Sequence, residues 1–373
     1  MNNSQRTEFR AHPDGKGWEA CELGKELVPE QMESLARWLY DPEVPEEAKM
    51  SFLSRWACRG ETPKEMAALA RELLRDSLPL PIRGFWEGRP IVDTCGTGGG
   101  GLCLFNVSTA AMFVCAAAGL VVVKHGNRAV TKRCGSADVL EALGLPVELE
   151  PDELVRSLQE IGMGFVYAPK YHPVLARLSG LRRRMGLVGQ RSVFHMLGPL
   201  LNPARPAVQL VGVFAPEHVT KMVGALRELG CQQAVAVYGI DQEGVGLGEM
   251  GTNGEGVLAG LPWEKVALAI KSWAQRRAYH GSAKEVLVSH PEQSARMIEE
   301  IFCARQKGFA RGLVVVNSAL VLLAARQCQS FEEGAEQVEE ILDRGLARKK
   351  LEDARRFYAS VRRSAKNSLE LST

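Results

Sequence analysis

The run Gly96-Thr97-Gly98-Gly99-Gly100-Gly101 restricts this chain more than any other stretch. Helix and strand interiors do not tolerate so many glycines, because each loses a large backbone entropy on ordering and brings no side chain to pack. Such a loop does offer backbone N–H groups that can crowd around an anion. A short apolar strand, Ile91–Thr94, runs into it. Asn106, Ser108 and Thr109 then stand where a helix should begin, since Ala110–Ala118 is rich in helix formers. Hydroxyls there can cap the helix or meet a phosphate at the positive end of its dipole. A second strand, Leu120–Val123, ends in Lys124-His125-Gly126-Asn127-Arg128, two cations and an amide at a strand's carboxyl end. The loop is neither Walker A nor a dinucleotide fingerprint, and a glycine loop alone is weak evidence. With the hydroxyls and the basic cluster, the chemistry points to a phosphorylated small molecule held in an α/β sheet.

A chain of 373 residues is long for one core, so a large domain plus a smaller one is expected. A formal charge of +2 gives no reason to expect nucleic acid or an anionic membrane as partner. The nine cysteines are odd in number and lack ligand spacing, which reads as core thiols in a reducing cytoplasm. The polar N-terminus carries no signal-peptide core, and the longest apolar run, Ala110–Val123, is too short to span a membrane.

Residues 1–26 read as an extension. Residues 27–90 read as a helical domain: Val28, Met32, Leu35 and Leu39 repeat at helical spacing, a second segment near Pro45 buries Phe52, Leu53 and Trp56, and a third opens on the capping box Thr62-Pro63-Lys64-Glu65. Part of the basic, Pro-rich segment 169–206 should join this domain. The remainder, 91–373, alternates strands and helices: strands are expected at Gly164–Ala168, Gln209–Phe214, Gln233–Tyr238 and Gly312–Val316, the last ahead of a helix Asn317–Ala325. Arg183 and Arg184 read as a solvated helix face.

The motifs GTGGGGLCLFNVST, KHGNRAVTKRCGSADVLEALG, His172-Pro173, RRRMG from Arg182 and FHMLGPLLNP from Phe194 together resemble the anthranilate phosphoribosyltransferase family of tryptophan biosynthesis, in order and approximate spacing. The resemblance implies a small helical domain beside an α/β domain with a mainly parallel sheet, the active site in the cleft between them, and a homodimer through the helices. It also implies phosphoribosyl pyrophosphate and anthranilate as substrates and Mg²⁺ as cofactor. Carried over, Gly96, Thr97, Gly98 and Gly99 would cradle the diphosphate. Asn106, Ser108 and Thr109 would bind it too, with Ser108 reaching Mg²⁺. Lys124 would neutralise phosphate charge and Ser136 would hold the ribosyl ligand. Asn127 and Arg182 would hold anthranilate, with His125, His172 and Pro199 lining its path, although each histidine also has a structural reading.

The motifs depart from the family in places. Gly100 replaces the aspartate of GTGGDG, and Leu104 a threonine. Gly248-Glu249 stands where the family has an Asp-Glu pair for Mg²⁺, leaving Glu249 as the metal carboxylate. Thr131-Lys132 replaces Ser-Ser, and Arg182 to Arg191 is about three residues longer than usual. A hard cation with fewer carboxylates should bind more weakly, and Lys132 could supply part of the missing neutralisation. Two readings stay open: an active transferase with fewer metal ligands, or a diverged relative with another acceptor or none, including one that binds nucleic acid.

Overall fold

A computed structural model describes residues 24–370 apart from 99, 130–133, 188 and 190. Three helices come first: α1 (Pro29–Tyr40), α2 (Glu46–Arg59) and α3 (Pro63–Arg75). Met32, Leu35 and Leu39 are buried as their spacing demands, whereas Val28 is the N-cap of α1 and half exposed. The capping box of α3 forms in both directions: the Glu65 N–H donates to Thr62 Oγ1 at 3.2 Å and the Thr62 N–H to Glu65 Oε2 at 2.9 Å.

The link to the sheet holds an element the sequence did not announce. Strand β1 (Phe85–Trp86) folds back on β2 (Arg89–Gly96) as a two-residue hairpin. Its turn residues, Glu87 and Gly88, both have positive φ, 48° and 77°, as a tight hairpin matched to strand twist requires. A Glu-Gly pair is a far weaker signal for this turn than Asn-Gly.

The chain then alternates. Helix α4 (Val107–Ala117), β3 (Val121–Gly126), α5 (Ser136–Ala142), α6 (Pro151–Ile161) and β4 (Met163–Tyr167) form one half. Strands β5 (Val208–Gly212), β6 (Gln233–Gly239) and β7 (Gly256–Ala259), with α11 (His218–Glu228) between β5 and β6, form the other. The spatial order is β4-β3-β2-β5-β6-β7; among the described strands β1 and β7 run antiparallel to their neighbours and the rest are parallel. Alternating side chains feed two apolar clusters: Leu210 and Val235 face one, Val211 and Ala236 the other. The second cluster is shared with Leu35, Phe52 and Leu69 of the N-terminal helices.

Between β4 and β5 lie four short helices, α7 (Ala168–Tyr171), α8 (Pro173–Arg177), α9 (Ser179–Leu187) and α10 (Phe194–Leu197), and a 3₁₀ turn, Gly198–Leu200. Val174, Leu181 and Met185 pack into the cluster of the N-terminal helices. Arg184 is exposed but paired, reaching Glu46 at 2.7 Å and Glu47 at 2.9 Å on α2.

After β7 come α12 (Trp263–Arg277), a 3₁₀ turn at Ala283–Val286, α13 (Pro291–Phe302), α14 (Phe309–Ala324), α15 (Phe331–Asp343) and α16 (Leu346–Glu370). The strand expected at Gly312–Val316 is not one. It is the middle of α14, a helix buried on nearly all sides and packed on α4 and α15. A short continuous apolar run suits a buried strand and a buried helix equally, and here the pattern continues for four turns. No helix among the described residues is long and apolar enough to cross a membrane.

Candidate functional site

The carboxyl ends of β2 and β3 converge on a cavity of about 320 Å³, within the range of small-molecule sites. Gly96, Thr97 and Gly98 leave β2 along one wall, pinned where the Thr97 N–H donates to Gly212 O at 2.9 Å. Gly98 has φ +67°, which a side chain would strain. Asn106 is the N-cap of α4, but its side chain does not cap. Its Oδ1 instead accepts from Ser294 Oγ at 3.0 Å and Cys134 Sγ at 3.1 Å. Ser108, in the first turn, faces the cavity.

The two-residue period of β3 sends Lys124 and His125 to opposite faces of the sheet. Lys124, 1% exposed, donates from Nζ to Thr94 O and to Ser108 Oγ, the latter at 3.2 Å. Both partners are neutral. His125 meets Gly198 O at 3.0 Å through Nδ1. A carbonyl only accepts, so Nδ1 carries the proton and Nε2 is bare. Burial pushes the His125 pKa down to about 3, and the ring is neutral at pH 7. Gly126 must lack a side chain, because a Cβ would stand 2.1 Å from Ser136 Oγ and 2.9 Å from the Phe165 ring.

The far wall combines apolar and cationic groups: Met185, Phe194 and Leu197 with Arg182. The Arg182 guanidinium makes no hydrogen bond or ion pair among the described residues, and burial pulls its pKa down. Three cations, Lys124, Arg128 and Arg182, line the cavity, and no Asp or Glu does among the described residues. Arg128 is already held, by Glu141 at 2.6 Å and Tyr167 at 2.5 Å. That leaves Lys124 and Arg182 without a carboxylate partner.

Of the residues picked out from sequence, Gly96, Thr97, Gly98, Asn106, Ser108, Lys124, His125, Asn127, Ser136, Arg182 and Pro199 are brought together around this cavity. Thr109 is not among them. One residue beyond Ser108, the helical turn rotates it by about 100° into the protein, where it is fully buried. His172 does not line the path either: it sits behind His125, fully buried, with the two rings edge to face at 5.2 Å. Gly99 and Lys132 lie outside the described residues. Sequence reasoning missed His195, which lines the cavity, and a buried carboxylate beneath it, Asp93. An aspartate inside the apolar strand IVDTC was the available signal.

Comparison with known proteins gives this geometry a family. Residues 88–348 match the model of the glycosyl transferase family, a/b domain. The anthranilate phosphoribosyltransferase of Petrotoga mobilis is 35% identical over 345 residues, covering 92% of this chain and 97% of that relative. That of Methanosarcina mazei is 37% identical over 343 residues, covering 91% and 87%. The chain belongs to the anthranilate phosphoribosyltransferases. The solved structure of the Thermus thermophilus enzyme superposes with a TM-score of 0.77 at 33% identity, covering 91% of this chain and 98% of that one. The Saccharomyces cerevisiae anthranilate phosphoribosyltransferase, solved with PRPP and Mg, superposes at 0.70 with 22% identity and covers 89% and 92%; it shares the fold.

Within this anthranilate phosphoribosyltransferase fold, Glu249 is half buried and does not line the cavity. Its carboxylate lies beside Gly212, the residue paired with Gly96. Gly248 has φ +68°, and among the described residues no three His, Cys, Asp or Glu side chains gather as a metal site. One carboxylate and the Ser108 hydroxyl suit a magnesium ion that takes most of its ligands from a bound diphosphate and water.

Proposed function

We propose that this protein transfers the phosphoribosyl group of phosphoribosyl pyrophosphate to the amine of anthranilate and releases pyrophosphate, in the cytoplasm and as a homodimer through its N-terminal helices. One observation carries the reading: a glycine-loop cavity in which neither Lys124 nor Arg182 forms an ion pair among the described residues, and whose lining includes no carboxylate among them. Both substrates are anions. The eight described cysteines are free thiols, which fits a reducing compartment. Residues 27–90 with part of 169–206 would form the helical domain and residues 91–373 the phosphoribosyl-binding domain.

An aryl amine is neutral at pH 7, so its attack on C1 needs no general base. The N–C1 bond forms as the C1–O bond to diphosphate breaks, and the proton released from nitrogen goes to solvent. The barrier lies in that cleavage, where positive charge grows on the ribose and negative charge on the departing diphosphate. In this reading the N–H groups of Gly96–Gly98 and the Lys124 ammonium take up the diphosphate charge, with Ser108 and Asn106 fixing its oxygens. Ser136 holds the ribosyl side. Arg182 grips the anthranilate carboxylate through its planar fork, and Asn127, His125 and Pro199 orient the ring. Ser108 and Glu249, with oxygens of the donor, would hold a magnesium ion, which would supply further charge neutralisation at the diphosphate, more weakly than paired carboxylates would.

Loss of anthranilate fluorescence, followed with phosphoribosyl pyrophosphate and Mg²⁺, tests the reading. Saturable consumption with stoichiometric pyrophosphate release is the expected result. Protein that binds neither substrate by calorimetry and turns over nothing would reduce the cavity to a relic.

A further inference from the structure

Beneath the cavity floor, on the His125 face of the sheet, the Asp93 carboxylate is completely buried. No cation forms an ion pair with it among the described residues, although the Lys124 charge acts on it across the sheet. Its hydrogen-bond donors are neutral: the His125 N–H at 3.4 Å on Oδ1, on Oδ2 the amides of Asn202 at 3.0 Å and Gln209 at 3.4 Å, and the Thr94 backbone N–H. Each amide makes a second bond that leads to the acceptor wall. Asn202 Nδ2 also donates to Val123 O at 2.8 Å, two residues before His125, while its Oδ1 accepts from the Ala204 N–H at 3.0 Å. Gln209 Nε2 also donates to Pro199 O at 2.7 Å. The turn so held, Gly198 to Leu201, contributes Gly198, Pro199 and Leu201 to the cavity and gives the carbonyl that sets the His125 tautomer.

We infer that Asp93 is a positioning residue for the acceptor: one carboxylate that gathers β3, β5 and the Gly198–Leu201 turn, and thereby fixes His125 and Pro199 against the anthranilate ring. The inference rests on the functional reading above and adds to it a residue that touches neither substrate. A buried carboxylate costs much free energy unless all its lone pairs are met, and an apolar residue would pack the strand at no such cost. An ionised carboxylate has one property no neutral side chain of that size shares. It accepts from donors on every side and donates nothing. In Asp93→Asn, an N–H₂ must face either the His125 N–H or the two amides, so donor opposes donor and one side of the hub opens. Lys124 leaves the sheet on the other face, tied to Thr94 and Ser108, so the donor half of the site keeps its geometry.

Steady-state kinetics on Asp93→Asn and Asn202→Ala, with both substrates varied, tests this. The expected result is an anthranilate KM raised about 10-fold with the phosphoribosyl pyrophosphate KM within about twofold of wild type. The double variant should be little worse than Asp93→Asn alone, because both changes open the same hub. Asn202→Ala keeps the carboxylate and serves by itself if Asp93→Asn does not fold. A purely structural Asp93 would lower thermal stability and the active fraction while leaving both KM values alone or moving them together, and that result overturns the inference. Multiplicative effects in the double variant do the same. If wild-type protein neither binds nor converts anthranilate, the functional reading fails and takes this inference with it. If wild type converts anthranilate but the two KM values move alike, only the inference fails.

Discussion

The N-terminal helices and the cleft floor each bury a carboxylate completely, and they treat it in opposite ways. Glu65 on α3 meets a cation, Arg59, and collects the Leu27 N–H at 2.7 Å, the Thr62 N–H at 2.9 Å and the Trp56 indole at 3.1 Å. Burial alone would raise its pKa; the Arg59 contact and the N–H donors turn the shift downward. Asp93 meets only neutral donors, and burial pushes it up to about 6 against the pull of Lys124 and Asn202. Two cations of each region divide in the same way: Arg59 and Arg184 of the helical layer are paired with carboxylates, while Lys124 and Arg182 in the cleft form no ion pair among the described residues. On the proposed function, the charges of Arg59 and Arg184 serve the fold and are matched within the chain, while those of Lys124 and Arg182 are left for the substrates to match.

The harshest test of that division is Glu65→Ala. It should strand Arg59 and cost about 3–5 kcal/mol of stability, read by urea denaturation, with both KM values unchanged in the folded fraction. A shift in either KM would mean the helical layer shapes the site more directly than the contrast allows. Lys124→Met is the converse. It should lower kcat by roughly 10²–10³, the scale of losing one charge stabiliser of a transition state, while circular dichroism shows a folded protein.

Acid should separate the two carboxylates by sign. The folded pKa of Glu65 is lowered, so its stabilisation is present above the unfolded value near 4.5 and is lost as pH falls through the folded one. The folded pKa of Asp93 is raised from 3.8 to about 6, so its contribution is complete below 3.8 and is lost as pH rises through about 6. The wild-type advantage over Asp93→Asn should therefore shrink by roughly 3 kcal/mol between about pH 4 and pH 8, while the advantage over Glu65→Gln should grow. Parallel curves would erase the distinction.

Arg182→Ala should raise the anthranilate KM by about one to two orders of magnitude, roughly 1.5–3 kcal/mol, and leave the donor KM alone. Equal effects on both substrates would make Arg182 structural. The smallest effect belongs to Gly248→Asp, which rebuilds an acidic pair with Glu249. It should lower the Mg²⁺ concentration giving half-maximal rate, set against a backbone cost of about 1 kcal/mol for a side chain at φ +68°. Calorimetry of donor binding with and without Mg²⁺ separates the two.

Local chemistry made much of this readable in advance. The capping box at Thr62, the glycine loop after an apolar strand, the helix former run after Ser108 and the KHGNR cluster each carry their structural reason within a few residues, so α3, β2, α4 and β3 exist where sequence expected such elements, although β2 runs on to Gly96 and β3 to Gly126, which takes Lys124 and His125 into the strand. The run Gly312–Val316 was misread because an apolar pentapeptide has no periodicity of its own, and only packing on α4 and α15 selected a helix. The cavity depends on contacts no local pattern encodes. Arg182 reaches it from 58 residues beyond Lys124, Thr109 and His172 were turned away by one step of a helix and by the ring of His125, and Asp93 draws its partners from His125, Asn202 and Gln209. Sequence by itself determined the elements and the chemical character of the loop, because propensity, capping and glycine freedom act over one or two turns of chain. Tertiary structure alone decided which charges find partners, because pairing depends on which side chains the parallel sheet and its crossovers bring within hydrogen-bond reach.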